Sequence, residues 1–307
     1  MKPKQIFISI LAVLFVFPLM AAFAQQAPDS VSITVITTFD YPGTVISTQP
    51  QKINDGGDIV GTYVDSLRVT RGFVRFTNNT FSAPIVEPND TENLTQGRGI
   101  NNSSTVCGDY LGSDSFDHGF FLSRGTFTEY NVPNAIATVV LGINNAGDFV
   151  GAFSNGGGIF QAFVSLGGTI TPFSIPGAGL TFAYQLNDSN RLLVGYYVDS
   201  SGILHGYFRN TNGALHFPID PPGSTGTILF GLNDRNWVVG RYTDSSGVTH
   251  GLFLVPPNNF FTFDYPGSTL TSLNGINAQG FICGGYRDAS GVDHGILARV
   301  TGVAGAK

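Results

Sequence analysis

The residues best able to do chemistry in this chain are four histidines that recur at one position of an internal repeat. They are His118, His205, His250 and His294. An aspartate stands six residues before three of them, at Asp199, Asp244 and Asp288. Imidazole and carboxylate groups held together can transfer protons, bind polar ligands or ligate Zn²⁺. These seven side chains are therefore the candidate ligand-binding residues of the chain.

A structural role for the same residues is the stronger expectation. The aspartates open turns of the type Asp-Ser-Ser-Gly or Asp-Ala-Ser-Gly, in which the carboxylate caps the turn and glycine closes it. A histidine at the start of the next strand can then donate a hydrogen bond to that carboxylate and fasten its own hairpin. Metal ligands usually stand at closer spacing, as in H-x-x-x-H, and the chain has no such pair. We predict no metal and no cofactor.

Catalytic motifs with a recognisable spacing are absent from the sequence. There is no G-x-S-x-G elbow, and no glycine-rich loop is followed by the lysine and helix that a nucleotide site needs. A catalytic carboxylate would have to break the symmetry of the repeat, and Asp114, Glu129 and Asp148 do so. No catalytic residue is assigned. An extracellular hydrolase or lyase stays open as the alternative function.

The elements that position these residues belong to a repeat of roughly 45 residues that occurs six times. Its marker is an Ile/Leu-Asn step, with the asparagine at Asn54, Asn101, Asn144, Asn187, Asn233 and Asn277. A Val/Cys-Gly-x-aromatic step follows, with the glycine at Gly61, Gly108, Gly151, Gly195, Gly240 and Gly284. A glycine inside a strand in every copy indicates close approach of another backbone or of an aromatic ring.

Each copy divides into four short extended runs bounded by turn residues, which predicts an all-β fold. The third residue after the marker is Gly or Asn in five copies, as a tight hairpin with a left-handed residue requires, and Ser104 is the exception. The sixth copy stops after Leu297, and an unpartnered fourth strand stands at Val35–Asp40. We therefore predict a six-bladed β-propeller of four-stranded blades, closed by the N-terminal strand. An open β-solenoid is the alternative.

Residues 1–24 have the layout of a secretory signal peptide. Lys2 and Lys4 precede an apolar stretch, and Ala22-Phe23-Ala24 forms a cleavage site. An uncleaved anchor is the alternative, although the apolar stretch is shorter than the ~20 residues of a spanning helix. We predict one propeller domain over residues 25–300, a tail over 301–307, no membrane span in the mature protein, and secretion to the extracellular space or the periplasm.

Composition narrows the choice of partner. Removal of residues 1–24 lowers the formal net charge from −6 to about −8, and only Lys52 and Lys307 remain as lysines. The absence of a basic stripe argues against nucleic acid. Cys107 and Cys283 stand where other copies carry valine, which favours a small buried apolar slot over a disulfide.

The Gly-Ile-Asn, Val-Gly-x-Tyr and His-Gly-Phe steps over about residues 31–300 resemble the extracellular HAF-repeat family of bacterial exported proteins. The nearest copies of the step that names the family are His118-Gly119-Phe120 and Gln161-Ala162-Phe163, and none reads His-Ala-Phe. The resemblance implies export and a repeat architecture but no defined reaction. Together these observations predict a monomeric, exported binding module for extracellular carbohydrate or protein. A purely structural surface protein is a third possibility.

Overall fold

The computed structural model describes residues 31–43, 45–188 and 192–303. The signal peptide predicted over residues 1–24 and the marker turn at Asn190 lie outside this part of the chain. Among the described residues no helix has the length and apolarity to cross a membrane.

The described residues form 23 β-strands. The first strand is β1 (Ser32–Phe39). Blade 1 holds β2 (Val45–Ile53), β3 (Ile59–Asp65) and β4 (Thr70–Arg75). Blade 2 holds β5 (Thr95–Ile100), β6 (Val106–Leu111), β7 (Asp117–Ser123) and β8 (Thr126–Tyr130). Blade 3 holds β9 (Ala137–Ile143), β10 (Phe149–Ser154), β11 (Gln161–Leu166) and β12 (Thr169–Phe173). Blade 4 holds β13 (Leu180–Leu186), β14 (Leu192–Val198), β15 (Leu204–Asn210) and β16 (Leu215–Ile219).

Blade 5 holds β17 (Gly226–Leu232), β18 (Val238–Thr243), β19 (Thr249–Val255) and β20 (Asn259–Phe263). Blade 6 holds β21 (Leu270–Ile276), β22 (Phe281–Arg287) and β23 (Asp293–Thr301). Consecutive strands within a blade pair antiparallel. In blade 1 the fourth strand is reduced to two bridges, Gly72 with Ile85 and Arg75 with Phe81.

The N-terminal strand closes the ring as predicted. β1 pairs antiparallel with β23, from Ser32 opposite Thr301 to Phe39 opposite Gly295. The pairing supplies blade 6 with its fourth strand and covers the edge of β23, which would otherwise be open to other chains. The six-bladed, four-stranded propeller predicted from the repeat is confirmed. β1 begins three residues earlier than the run predicted from Val35.

The core lies between blades and repeats with the sequence. The residue after the His-Gly step in the third strand is fully buried in every blade, at Phe73, Phe120, Phe163, Tyr207, Leu252 and Ile296. In four blades the ring packs on the glycine of the second strand. A Cβ on Gly195 would lie 1.9 Å from the main-chain oxygen of Phe182 and 2.8 Å from the Tyr207 hydroxyl. The predicted close approach at this glycine is confirmed in all six copies.

The marker asparagines tie the blades together at the axis. Each side-chain oxygen accepts a hydrogen bond from a backbone N–H of its own turn, as Asn101 does from Thr105. In four blades the side-chain nitrogen donates to the main-chain oxygen of the next marker: Asn54 to Asn101, Asn101 to Asn144, Asn233 to Asn277, and Asn277 to Asn54. Ser104 adopts the same left-handed backbone as its equivalents, with φ 59°.

Both cysteines occupy buried apolar positions and carry free thiols. Burial raises the pKa of Cys107 and of Cys283 to about 12. The predicted small apolar slot is confirmed, and the alternative of a disulfide between these two residues is not realised.

Candidate functional site

Each candidate histidine of blades 4 to 6 lies between two carboxylates of its own blade. Nε2 faces the turn aspartate, and Nδ1 faces a second aspartate just beyond the outermost strand. The first set of distances is 3.5 Å from His205 to Asp199, 3.4 Å from His250 to Asp244 and 3.4 Å from His294 to Asp288. The second set is 2.6 Å from His205 to Asp220, 2.9 Å from His250 to Asp264 and 3.0 Å from His294 to Asp40. Each of these rings therefore has a carboxylate acceptor within 3.5 Å of both of its nitrogens.

The charges of these partners change the titration of two histidines. Burial lowers the pKa of His250, but hydrogen bonds and charge interactions with Asp264 and Asp244 outweigh it, so the pKa lies above the usual 6.5. Burial and the carboxylates of Asp40 and Asp288 act on His294 in the same way, and its pKa is also raised. Each pKa shift therefore comes from carboxylates of the histidine's own blade.

Blade 2 keeps the same arrangement with different residues. Nε2 of His118 contacts Asp114 at 3.1 Å, and Nδ1 contacts the Asn131 amide at 3.2 Å. Glu129 is 3.9 Å from His118 and accepts a hydrogen bond from the Tyr110 hydroxyl. Asp114 and Glu129, two of the symmetry-breaking carboxylates, therefore belong to this hairpin.

All four histidines also stack on the tyrosine that precedes the turn in the second strand. The ring centroids are 5.4 Å apart for Tyr110 and His118, 5.1 Å for Tyr197 and His205, and 5.0 Å for both Tyr242 with His250 and Tyr286 with His294. The structure thus brings each histidine together with its own turn and its own tyrosine. Among the described residues no hydrogen bond joins candidate residues of different blades, and no group of three or more His, Cys, Asp or Glu is arranged to hold a metal. Their predicted role in ligand binding stays a prediction.

A cavity of about 220 Å³ opens at the axis on the face that carries these turns. We call it the axial mouth. Its wall includes Arg287 and Asp293, which flank the turn of blade 6. The inner strands contribute Gln49, Gln51, Arg98, Tyr184, Phe230, Ser272 and Asn274, and the second strands contribute Arg241 and Tyr286. Tyr286 is the point at which the axial mouth meets the histidine pairs, because its ring also stacks on His294.

The inner-strand residues that line the axial mouth differ from copy to copy. The position three residues before the marker asparagine holds Gln51, Arg98, Leu141, Tyr184, Phe230 and Asn274, six different residues in six copies. Five of them line the cavity. The marker itself is identical in every copy because the fold needs it. Divergence at the inner-strand position is the sequence signal that could have identified the axial mouth.

Three arginines reach the axial mouth, and two of them are paired. Arg98 Nε lies 2.7 Å from Asp109, and Arg287 Nε lies 2.7 Å from Asp293. Arg241 forms no ion pair with a described carboxylate, and its guanidinium lies over the Phe230 ring at 5.5 Å. Burial lowers the pKa of Arg241.

Lys52 lies behind the axial mouth, where four other copies have glycine and one has Gln185. Its Nζ donates to the main-chain oxygens of Phe230, at 2.8 Å, and Asn274, at 3.3 Å. The side chain is only 5% exposed, and burial lowers its pKa to about 8. The Lys52 ammonium group is therefore a buried cation behind Phe230 and Asn274, and the hydrogen bonds that hold it go to their main-chain oxygens.

Three other cavities lie outside the axial mouth, and one of about 390 Å³ is walled by residues of blades 1 and 2, among them Val74, Phe76 and Phe127. At the opposite end of the axis the markers and the residues after them enclose about 60 Å³, and their polar groups bond from blade to blade, as Asn102 does with Asp55 at 2.8 Å. A cavity of about 420 Å³ lies at the seam of blades 6 and 1, where apolar Ile36 and Leu297 contribute to the wall. Asp148, the third symmetry-breaking carboxylate, accepts a hydrogen bond from the Gly167 N–H and lines none of these cavities.

Comparison with known proteins gives the fold and no family. No family model matches the chain, and no curated protein matches its sequence. Among solved structures, a TolB-named protein of Agrobacterium tumefaciens is 11% identical with a TM-score of 0.57, over 88% of this chain and 98% of that chain. A variant of AofleA from Arthrobotrys oligospora is 10% identical with a TM-score of 0.56, over 90% and 93%. The fungal lectin of Aleuria aurantia, a six-bladed β-propeller that recognises fucose, is 12% identical with a TM-score of 0.50, over 83% and 95%. At these identities the likeness establishes a shared architecture.

Proposed function

We propose that this chain is an exported binding module that holds extracellular carbohydrate at the axial mouth. One observation carries the proposal: the inner-strand position three before the marker differs in all six copies, and five of its six side chains line this cavity. A ring built for stability alone would repeat there as it does at the marker asparagines. Five different side chains from equivalent positions around one cavity are suited to the recognition of an asymmetric ligand.

The chemistry of the wall favours a sugar. Tyr184, Phe230 and Tyr286 supply aromatic surface for the apolar face of a pyranose ring. The Gln51 amide offers both donors and an acceptor to the hydroxyl groups, whereas the Asn274 amide already donates to the Pro50 main-chain oxygen and accepts from the Ser272 hydroxyl. Small-ligand sites combine these two features, an apolar or aromatic wall and a few convergent polar groups. One of the propellers that share this architecture, the Aleuria aurantia lectin, recognises fucose, which is consistent with the proposal.

Export and a non-nucleic-acid partner are part of the same proposal. The layout of residues 1–24 supports secretion, and the formal net charge of −6 supports a partner other than nucleic acid. The histidine and aspartate residues of the turns are the competing location for a ligand on the same face. The experiment therefore has to separate the turns from the axial mouth.

The test is a glycan array of the chain lacking residues 1–24, followed by titration of each hit against two variants. Tyr184→Ala removes an aromatic wall from the axial mouth, and His250→Ala disrupts one hairpin pair. We expect Tyr184→Ala to weaken binding by about 2 kcal/mol or more, as loss of a buried aromatic anchor does, and His250→Ala to leave the affinity unchanged. Melting temperatures show that both variants are folded.

The opposite pattern, with affinity lost in His250→Ala and kept in Tyr184→Ala, would place the ligand at the turns. An independent readout is thermal: a glycan at 100 times its Kd stabilises the folded state by about 2.7 kcal/mol. A chain that is stabilised by no glycan and captures none on the array would refute the carbohydrate proposal.

A further inference from the structure

Arg241 is a half-buried cation without a charged partner, in a site where comparable arginines have one. Arg98 and Arg287 line the same cavity and are each bonded to a carboxylate at 2.7 Å. Among the described residues Arg241 forms no ion pair, and the only cation–ring contact it makes is with Phe230. A desolvated guanidinium is costly unless an anion or strong acceptors satisfy it.

The surroundings of Arg241 hold charges of both signs, with Asp293 acting on it as an anion and Arg287 as a cation, but cationic side chains outnumber carboxylates. Nζ of Lys52 donates a hydrogen bond to the main-chain oxygen of Phe230, and the Arg241 guanidinium lies over the Phe230 ring. Phe230 therefore contacts two cationic side chains. Four cationic side chains, Lys52, Arg98, Arg241 and Arg287, surround the axial mouth. The carboxylates close to them are Asp109 and Asp293, with Asp117 interacting with Arg98 from farther out.

This local excess of positive charge opposes the sign of the whole protein, whose formal net charge is −6. A cleft of one sign with low-dielectric walls focuses the field and attracts ligands of the opposite sign. Guanidinium presents a planar fork of N–H donors that matches a carboxylate, and Arg241 lies beside aromatic surface on which a sugar ring can stack.

We infer that the axial mouth selects an acidic sugar, and that Arg241 binds its carboxylate while Tyr184 and Phe230 contact the ring. The inference rests on the proposed carbohydrate-binding function and specifies its ligand class as glycans that contain uronic acids. The Gln51 amide is then left to bind the neutral hydroxyl groups.

The test uses matched pairs of oligosaccharides: glucuronate-, galacturonate-, mannuronate- and guluronate-containing chains, and the same chains after reduction of the carboxyl groups to primary alcohols. Affinities are measured for the wild-type chain, Arg241→Gln, Arg241→Lys and Arg299→Gln. Arg299 is the matched control because its guanidinium also lies over a phenylalanine ring, Phe281 at 5.1 Å, but on the exposed surface of β23.

We expect the wild-type chain to bind at least one acidic oligosaccharide about ten- to a hundredfold more tightly than its reduced counterpart, the usual worth of a hydrogen-bonded charge pair. Arg241→Gln should abolish that preference but keep the affinity for the reduced form. Arg241→Lys should keep part of the preference, and Arg299→Gln all of it. The preference should also shrink at high salt, because a half-exposed ion pair is screened.

Equal affinity for acidic and reduced chains would overturn this inference and leave the carbohydrate function standing. A preference that survives Arg241→Gln would assign the carboxylate to another residue and overturn it too. If neither member of any pair binds and the neutral glycan array is also blank, the carbohydrate function fails together with the inference.

Discussion

Replacement of Lys52 by methionine should change how the stability of this propeller depends on pH. Lys52 is 5% exposed and is held by main-chain oxygens of Phe230 and Asn274, with no carboxylate in an ion pair with it among the described residues. Burial lowers its pKa from 10.5 to about 8. Methionine fills a similar volume without a charge, so the substitution isolates the titration of one group.

The sign and size of the effect follow from this pKa. Between pH 8 and 10.5 the unfolded chain holds a proton on Lys52 that the folded chain has released, so the free energy of unfolding rises with pH. Full loss of the charge relieves about 3 kcal/mol, at about 1.4 kcal/mol for each pH unit between the folded and unfolded pKa values. Between pH 7 and pH 10 the expected gain is about 2.5 kcal/mol.

Urea denaturation of the wild-type chain and Lys52→Met at pH 7, 8, 9 and 10 measures this gain. The difference between the two free energies of unfolding is the useful quantity, because buried tyrosines and cysteines affect both proteins alike at high pH. From pH 7 to pH 10 we expect the free energy of unfolding of the wild-type chain to rise by about 2.5 kcal/mol relative to that of Lys52→Met. A difference that stays constant within about 0.5 kcal/mol would show that Lys52 titrates normally and that its charge is solvated, which would refute the reasoning.

Three further outcomes are expected from the same structure. Gly195→Ala should lower the free energy of unfolding by about 1–3 kcal/mol in urea denaturation, because its Cβ would lie 1.9 Å from a main-chain oxygen. In the control Gly179→Ala the nearest contact of the Cβ is 3.8 Å away, so the free energy of unfolding should change little. Equal effects of the two substitutions would contradict the packing argument. His250→Gln should lower the melting temperature more at pH 5.5 than at pH 8.5. A raised pKa gives stability that is complete below pH 6.5 and is lost as pH rises through the folded pKa, so equal losses at the two pH values would contradict the charge argument. Deletion of residues 25–40 should expose the edge of β23 and yield oligomers in size-exclusion chromatography, and a chain that stays monomeric would contradict the closure role of β1.

The propeller was predictable because its determinants are repeated. The marker Asn54 and the strand glycine Gly61 recur six times, and repetition separates what the fold requires from what varies. The closing strand was predictable for the same reason, since the run at Val35 matches the fourth strand of other copies. The turn aspartates of His205, His250 and His294 were also visible, because each stands six residues before its histidine. For His118 the turn aspartate is Asp114, four residues before it.

The axial mouth could not be found by the same method. Arg98, Tyr184 and Arg241 belong to no pattern, so a search for recurring residues passes over them. The second carboxylate on the histidines of blades 4 to 6 was missed because it comes from beyond the outermost strand, and for His294 it is Asp40, 254 residues away in the chain. The contact between His294 and Asp40 depends on ring closure and appears only in three dimensions.

Closure of the ring by β1 also sets an order of events during biosynthesis. β1 leaves the ribosome among the first strands of the fold and its partner β23 is the last, so β1 stays unpaired until the final blade is made. Its sequence, SITVITTF, combines β-branched residues with no charge, which is the composition of segments that add to foreign strand edges. We therefore expect the interval between synthesis and closure to be the period in which this protein depends most on chaperones.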